Sequence, residues 1–164
     1  MTNKEMSKAI QEKLKAAGIP RAAYRIRVQG CGYSNSVHIY VKDLAVSIDE
    51  VKRIAYQYES IERDVRTGEI LEGGNTYVFV EYDFDTLQAA QEKYLAQAEG
   101  IYGHGYAEIM THSNGNTLAY LDTEPGEGRL YLKNNNNTYD RIYCRSPHRL
   151  AEGIAIFAAT GRLA

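Results

Sequence analysis

The stretch YESIERDVRTGEILEGGNTYVFVEY, residues 58–82, decides how this chain is organised. Its first residues close an amphipathic helical pattern. Thr67-Gly68 then forms a turn between Ile61/Val65 and Ile70/Leu71, and Gly73-Gly74-Asn75 precedes the apolar run Tyr77-Val78-Phe79-Val80. The spacing predicts a helix end, a β-turn and then a central strand. No nucleophile stands beside a base here, and no metal-ligand cluster or phosphate loop appears, so the stretch identifies no reaction.

Upstream, Thr2-Asn3-Lys4-Glu5 has the form of a capping box, and Met6, Ile10 and Leu14 follow on one helical face. Gly18 and Pro20 end that helix near Ala17. Tyr24-Arg25-Ile26-Arg27-Val28-Gln29 and Val37-His38-Ile39-Tyr40-Val41-Lys42 alternate apolar and polar residues with the period of two that half-buried strands require. The segment between them, residues 30–36, exceeds a two-residue turn and predicts a flexible hairpin loop. If Ile26, Val28, Val37, Ile39 and Val41 face a core, then Arg25, Arg27, His38, Tyr40 and Lys42 share the outer face, with Tyr33 on the loop. Cationic groups of this kind meet phosphates and the aromatic rings stack on unpaired bases. Ordinary solvated hairpin faces carry the same residue types. These six residues are the candidate contacts to nucleic acid or to a protein partner. A second capping box, Ser47-Ile48-Asp49-Glu50, opens a helix through Val51, Ile54, Ala55 and Tyr58.

Downstream, Asp83 or Asp85 caps a third helix through Leu87, Ala90, Gln91 and Tyr94, up to Gly100. Gly103-His104-Gly105 breaks every periodic pattern and marks the expected internal boundary. Short strands follow at residues 106–111, 117–122, 129–133 and 138–144, separated by turn-forming Asn, Gly and Pro, which predicts an antiparallel meander. Ser146-Pro147 then starts a closing helix with Leu150, Ile154, Phe157 and Ala158 as its apolar stripe and Gly161 as its end.

Composition narrows the function. The 164 residues are 44% hydrophobic, enough for one domain with a core or two small units sharing one. A net charge of -2, without a basic or acidic tail, disfavours a non-specific polyanion binder, so any nucleic-acid face is local. Fourteen tyrosines against three phenylalanines and no tryptophan favour half-buried sheet surfaces, interfaces and stacking. Cys31 and Cys144 lie far apart without a Cys-x-x-Cys spacing, which fits free thiols in a reducing cytosol. No apolar run approaches a membrane span and the N-terminus lacks a signal-peptide core, so the expectation is a cytoplasmic protein without membrane contact.

His104, His112, Cys144 and His148 are metal-capable, but closely paired cysteines are missing and no metal site is expected. Asp64, Glu69, Glu72, Glu81 and Asp83 are numerous around the central stretch, and alternation spreads Glu81 and Asp83 among Tyr and Val as on a solvated strand face. No catalytic residue is assigned and no cofactor is expected.

A set of words in the first half adds to this. Ile10-x-x-x-Leu14-Lys15 and Gly18 in the first helix, Gly32-Tyr33-Ser34 in the loop, and Val51-x-x-Ile54-Ala55 leading to Tyr58-Glu59-Ser60-Ile61 belong to it. Arg63-Asp64, Thr67-Gly68-Glu69-Ile70-Leu71 and Gly73-Gly74-Asn75-Thr76-Tyr77-Val78 complete it. Residues 3–83 with these words resemble a large polyvalent protein-associated domain, number twenty-nine of that series. The resemblance implies a setting in phages or conjugative elements, with no reaction and no catalytic residues attached.

The sequence thus leads to an α+β fold with antiparallel sheet and helices on one face, in the order α-β-β-α-β-α, then a meander and a closing helix. Residues 1–100 and 101–164 are expected as two halves packed in one body. The expected role is a non-enzymatic binding module of a mobile element that contacts nucleic acid or a host protein. A carboxylate-based hydrolase or nuclease and a homo-oligomeric protein-interaction domain are the alternatives.

Overall fold

The two alternating runs pair as an antiparallel hairpin, β1 (Tyr24–Cys31) with β2 (Ser34–Val41), in a register that sets Tyr24 against Val41 and Cys31 against Ser34. The computed structural model describes residues 1–134 and 137–163. Before the hairpin comes α1 (Asn3–Ala16), closed at its start by the complete Thr2/Glu5 capping box. After it comes α2 (Ile48–Ala55), where Ser47 accepts the Glu50 N–H but Glu50 lies toward Arg53, 3.8 Å away. β3 (Thr76–Tyr82) then joins the hairpin, giving the order β1-β2-β3.

β3 runs parallel to β2, with Asn35 opposite Thr76 and Val41 opposite Tyr82. A parallel pair needs a long crossover, here supplied by α2 and the residues up to 75. Two sequence expectations change as a result. The apolar strand of residues 77–80 is an edge, and β2 occupies the middle. The sheet is mixed, with one parallel pairing beside an antiparallel one, while the α+β class and element order stand.

The hairpin loop is also tighter than its composition indicates. The strands extend to a two-residue connection, Gly32-Tyr33, with Gly32 at φ 59 in the position that type II′ turns give to glycine. Gly74 N–H donates to the Tyr33 carbonyl (2.8 Å) and Asn35 N–H to the Asn75 carbonyl (2.8 Å), so neighbouring backbone pins what would otherwise be a floppy loop.

α1 and α2 cover one face of this sheet. Met6, Ile10 and Leu14 from α1, Val51 and Ile54 from α2, Val37, Ile39 and Val41 from β2, and Val78 and Val80 from β3 form one buried cluster. A period of two on the strands and of 3.6 on the helices brings these residues together.

The second unit is built on the meander β4 (Tyr106–Thr111), β5 (Thr117–Glu124), β6 (Glu127–Asn134) and β7 (Asn137–Cys144), all antiparallel and in sequence order. The turn expected between the last two strands includes residues 135 and 136, outside the described residues. α3 (Phe84–Ile101) packs on α4 (Pro147–Thr160), and Leu118, Tyr120, Leu130, Leu132, Leu150, Ile154 and Phe157 form a separate core. A Cβ on Gly153 would lie 2.4 Å from Leu130 Cδ1, which measures how closely α4 lies over β6.

The chain divides into compact units at Asp83/Phe84. α3, expected with the first half, thus belongs to the second. Residues 103–105 lie inside that unit, where Asp122 accepts the N–H groups of Gly103 (3.1 Å) and Gly105 (2.7 Å). Their glycines permit a tight α3–β4 turn rather than a linker. Among the described residues no helix is long and apolar enough to cross a membrane.

Candidate functional site

With α1 and α2 on one face of the first sheet, alternation leaves the other face to the opposite set of side chains. The register orders them in rows across β1, β2 and β3: Arg25, Tyr40, Glu81; Arg27, His38, Phe79; Gln29, Ser36, Tyr77. The first two rows are where the chemistry gathers. His38 and Phe79 stack at 4.9 Å between ring centroids with planes 17° apart, and His38 and Tyr40 lie 6.2 Å apart with planes 11° apart. The Arg25 guanidinium sits over the Tyr40 ring, 4.5 Å from its centroid, and 3.8 Å from the Asp83 carboxylate.

Three parallel rings flanked by two guanidiniums form a surface onto which a flat heterocycle can add, with cations at hand for its phosphate. Phe79, at the edge strand, is 48% exposed, an unusual condition for a phenylalanine on a strand and the open end of the stack. Arg27 is exposed and, among the described residues, has neither an ion pair nor a hydrogen-bonded side-chain partner. Glu81, beside Tyr40, and Asp83, beside Arg25, put negative charge at one end of the face and bias any phosphate path toward the Arg27 end.

Of the six residues singled out from sequence, Arg25, Arg27, His38 and Tyr40 share this face. Lys42 continues the alternation just past β2; it is exposed, and its N–H donates to the Ala23 carbonyl at 2.8 Å. Tyr33 lies apart from the ring row, at the hairpin tip, 94% exposed. There it lines a shallow groove of about 330 Å³ with Ile70, Leu71 and Tyr77. Tyr77 and Phe79 were missed as face residues, and Glu81, read as solvated, was not placed beside Tyr40. Their alternation with Thr76, Val78 and Val80 was visible, but only parallel pairing to β2 sets them beside His38 and Tyr40.

Of the carboxylates at residues 64, 69 and 72, Asp64 is engaged by its own turn. Asp64 accepts the N–H groups of Arg66 (2.7 Å) and Thr67 (2.8 Å), and these backbone bonds, Thr67 foremost, hold its carboxyl below the usual range. Asn75 is buried and binds the segment to β3, accepting the Glu62 N–H (2.8 Å) and donating to the Leu71 carbonyl (2.7 Å).

The metal-capable side chains have separate surroundings. His104 is exposed in the α3–β4 turn, His112 stands edge-on to Phe157, and His148 is exposed in the first turn of α4. Cys144 is buried, and burial pushes its thiol up to about 11, which leaves it protonated and unreactive at neutral pH. Among the described residues, no three His, Cys, Asp or Glu side chains come together in a way that could hold a metal.

Compared with known proteins, the chain matches no family model, no curated protein and no solved structure.

Proposed function

We propose that this chain is a non-enzymatic binding module that takes a single-stranded nucleic acid on the uncovered face of its first sheet. The observation that carries this is the row Arg27, His38, Phe79, with Arg25 and Tyr40 beside it. Parallel rings lie abreast on β2 and β3, beside a guanidinium on β1 that has no ion pair among the described residues. Stacking tolerates any base, and local cations suffice for the backbone, so a chain of net charge -2 can still bind. The setting we propose is that of the phage and conjugative-element proteins that residues 3–83 resemble.

Fluorescence anisotropy with single- and double-stranded DNA and RNA across a salt series tests the proposal. Wild type should prefer single strands. Arg25→Ala/Arg27→Ala should flatten the dependence of log K on log salt by about 0.7 per lost phosphate contact. Phe79→Ala should weaken binding by about 1–3 kcal/mol without changing that slope. No binding at low salt, or identical slopes in wild type and the arginine double variant, would remove nucleic acid from consideration.

A second reading, a protein partner, is favoured by exposed apolar side chains in the same unit. Ile70 and Leu71, each close to half exposed, line the Tyr33 groove, and Val65 is fully exposed.

A further inference from the structure

The uncovered face of the second sheet contains a depression of about 570 Å³, a volume typical of small-molecule sites. Leu121 of β5, Arg129 and Tyr131 of β6, and Tyr139, Asp140 and Arg141 of β7 line it. Its two cations are unlike the others on this sheet. Lys133 is paired with Glu108 at 2.6 Å and Arg145 with Glu127 at 2.9 Å. The Arg129 and Arg141 side chains have no ion pair or hydrogen bond among the described residues, and Arg129 Nε is buried without a partner.

The surroundings hold Arg129 ready. It lies opposite Tyr143 in the ladder, with its guanidinium 5.4 Å from the centre of that ring. Arg141 lies opposite Tyr131, which makes Arg129 and Arg141 a diagonal pair, roughly 7 Å apart in such a ladder. Two arginines whose backbones stand at that spacing have side chains long enough to bring both guanidiniums onto one phosphate, each presenting a planar fork of donors.

The strand bends at this point. The register shifts between Tyr131 and Leu132, and Asp140, at φ 53, is the extra residue of the bulge. The Asp140 carboxylate accepts the Arg141 backbone N–H at 2.9 Å, so the acid at the rim is engaged by its own turn. Tyr131, Tyr139 and Leu121 supply flat and apolar walls beside the cations.

We propose that this depression binds a free phosphorylated aromatic metabolite of the nucleoside-monophosphate class, with the phosphate between Arg129 and Arg141 and the ring against Tyr131, Tyr139 and Leu121. This site is separate from the first sheet and does not rest on the nucleic-acid reading.

Isothermal titration of the full chain with adenosine monophosphate, adenosine and inorganic phosphate tests it. The nucleotide should bind at least tenfold more tightly than either fragment. Arg141→Ala, at an exposed position that folding tolerates, should weaken it at least tenfold with an unchanged circular dichroism spectrum. Arg129→Lys, which keeps the charge and loses the fork, should weaken it several-fold. His38→Ala/Phe79→Ala on the first sheet should leave the affinity within twofold, so loss of strand binding there is distinguishable from loss of the nucleotide here. Equal affinity for nucleotide and phosphate, or an Arg141→Ala variant that binds as wild type does, would overturn the proposal.

Discussion

The two sheets put similar residue types on their uncovered faces and use them differently. On the first, rings lie against rings as well as under a cation: His38 on Phe79, Tyr40 parallel to His38 and Arg25 over Tyr40, with Arg27 beside them without an ion pair among the described residues. On the second, cations lie over rings, Arg129 over Tyr143 and Lys133 over Tyr106, and one of them is consumed by Glu108. Both faces follow from one rule, alternation on strands whose opposite side packs against helices. The difference is topological. A parallel third strand brings the aromatic residues of β2 and β3 abreast on the first sheet, whereas the bulge at Asp140 bends the second into a hollow. A bare face reads as a stacking surface when its rings are in register and as a pocket when a strand bends.

The sharpest way to break this comparison is to contrast the two sides of one sheet. Ile39 is fully buried on β2, and Ile39→Ala should cost about 2–5 kcal/mol. Phe79→Ala removes a larger side chain from the opposite side, where exposed substitutions usually change stability by about half a kcal/mol. Urea titration of both variants checks this, and comparable losses would mean that the Phe79 side is packed in solution.

Next in size is a change confined to the second unit. Gly153→Ala places a methyl group into Leu130, and overpacking of this kind should cost about 1–3 kcal/mol. Hydrogen exchange should show faster opening over residues 84–163. The same loss of protection over residues 1–83 would contradict two separate cores.

The smallest expected effect is one of pH. The Asp122 carboxylate accepts from the Tyr120 hydroxyl at 2.6 Å, the strongest influence, and from the Gly105 and Gly103 N–H groups, which together lower its pKa. A carboxyl with a depressed folded value stabilises fully above its unfolded value and loses that contribution as pH falls through the folded one. Melting followed from pH 7 down to pH 2 should therefore show a decline in the second unit that Asp122→Asn lessens. An identical acid profile in that variant would remove the role assigned to this cluster.

Much of the fold was legible because local chemistry specified it. The Thr2/Glu5 box, Gly18 and Pro20 bound the first helix, Ser146-Pro147 and Gly161 bound the last, and period-two runs located the strands. Arg25, Arg27, His38 and Tyr40 were found by the same alternation, and they do share a face. What escaped the reading depends on contacts distant in sequence. Nothing near Tyr77 indicates that β3 would run parallel beside β2 at the edge of the sheet, so Phe79 was read only as part of an apolar central strand. The hairpin turn looked loose because Gly30 and Gly32 are permissive, while the bonds that tighten it come from residues 74 and 75. The Arg129 and Arg141 pocket depends on a bulge at Asp140, a register fault without a local signature.

The most direct measurement is a titration of a short single-stranded oligonucleotide into the ¹⁵N-labelled chain at low salt, followed by amide chemical shifts. The expected result is a set of perturbations centred on Arg27, His38, Tyr40 and Phe79, with the α1 residues Met6, Ile10 and Leu14 unmoved and the changes reversed by salt. Spectra unchanged at saturating oligonucleotide, or shifts confined to the helical side, would contradict the assignment of this face to nucleic acid.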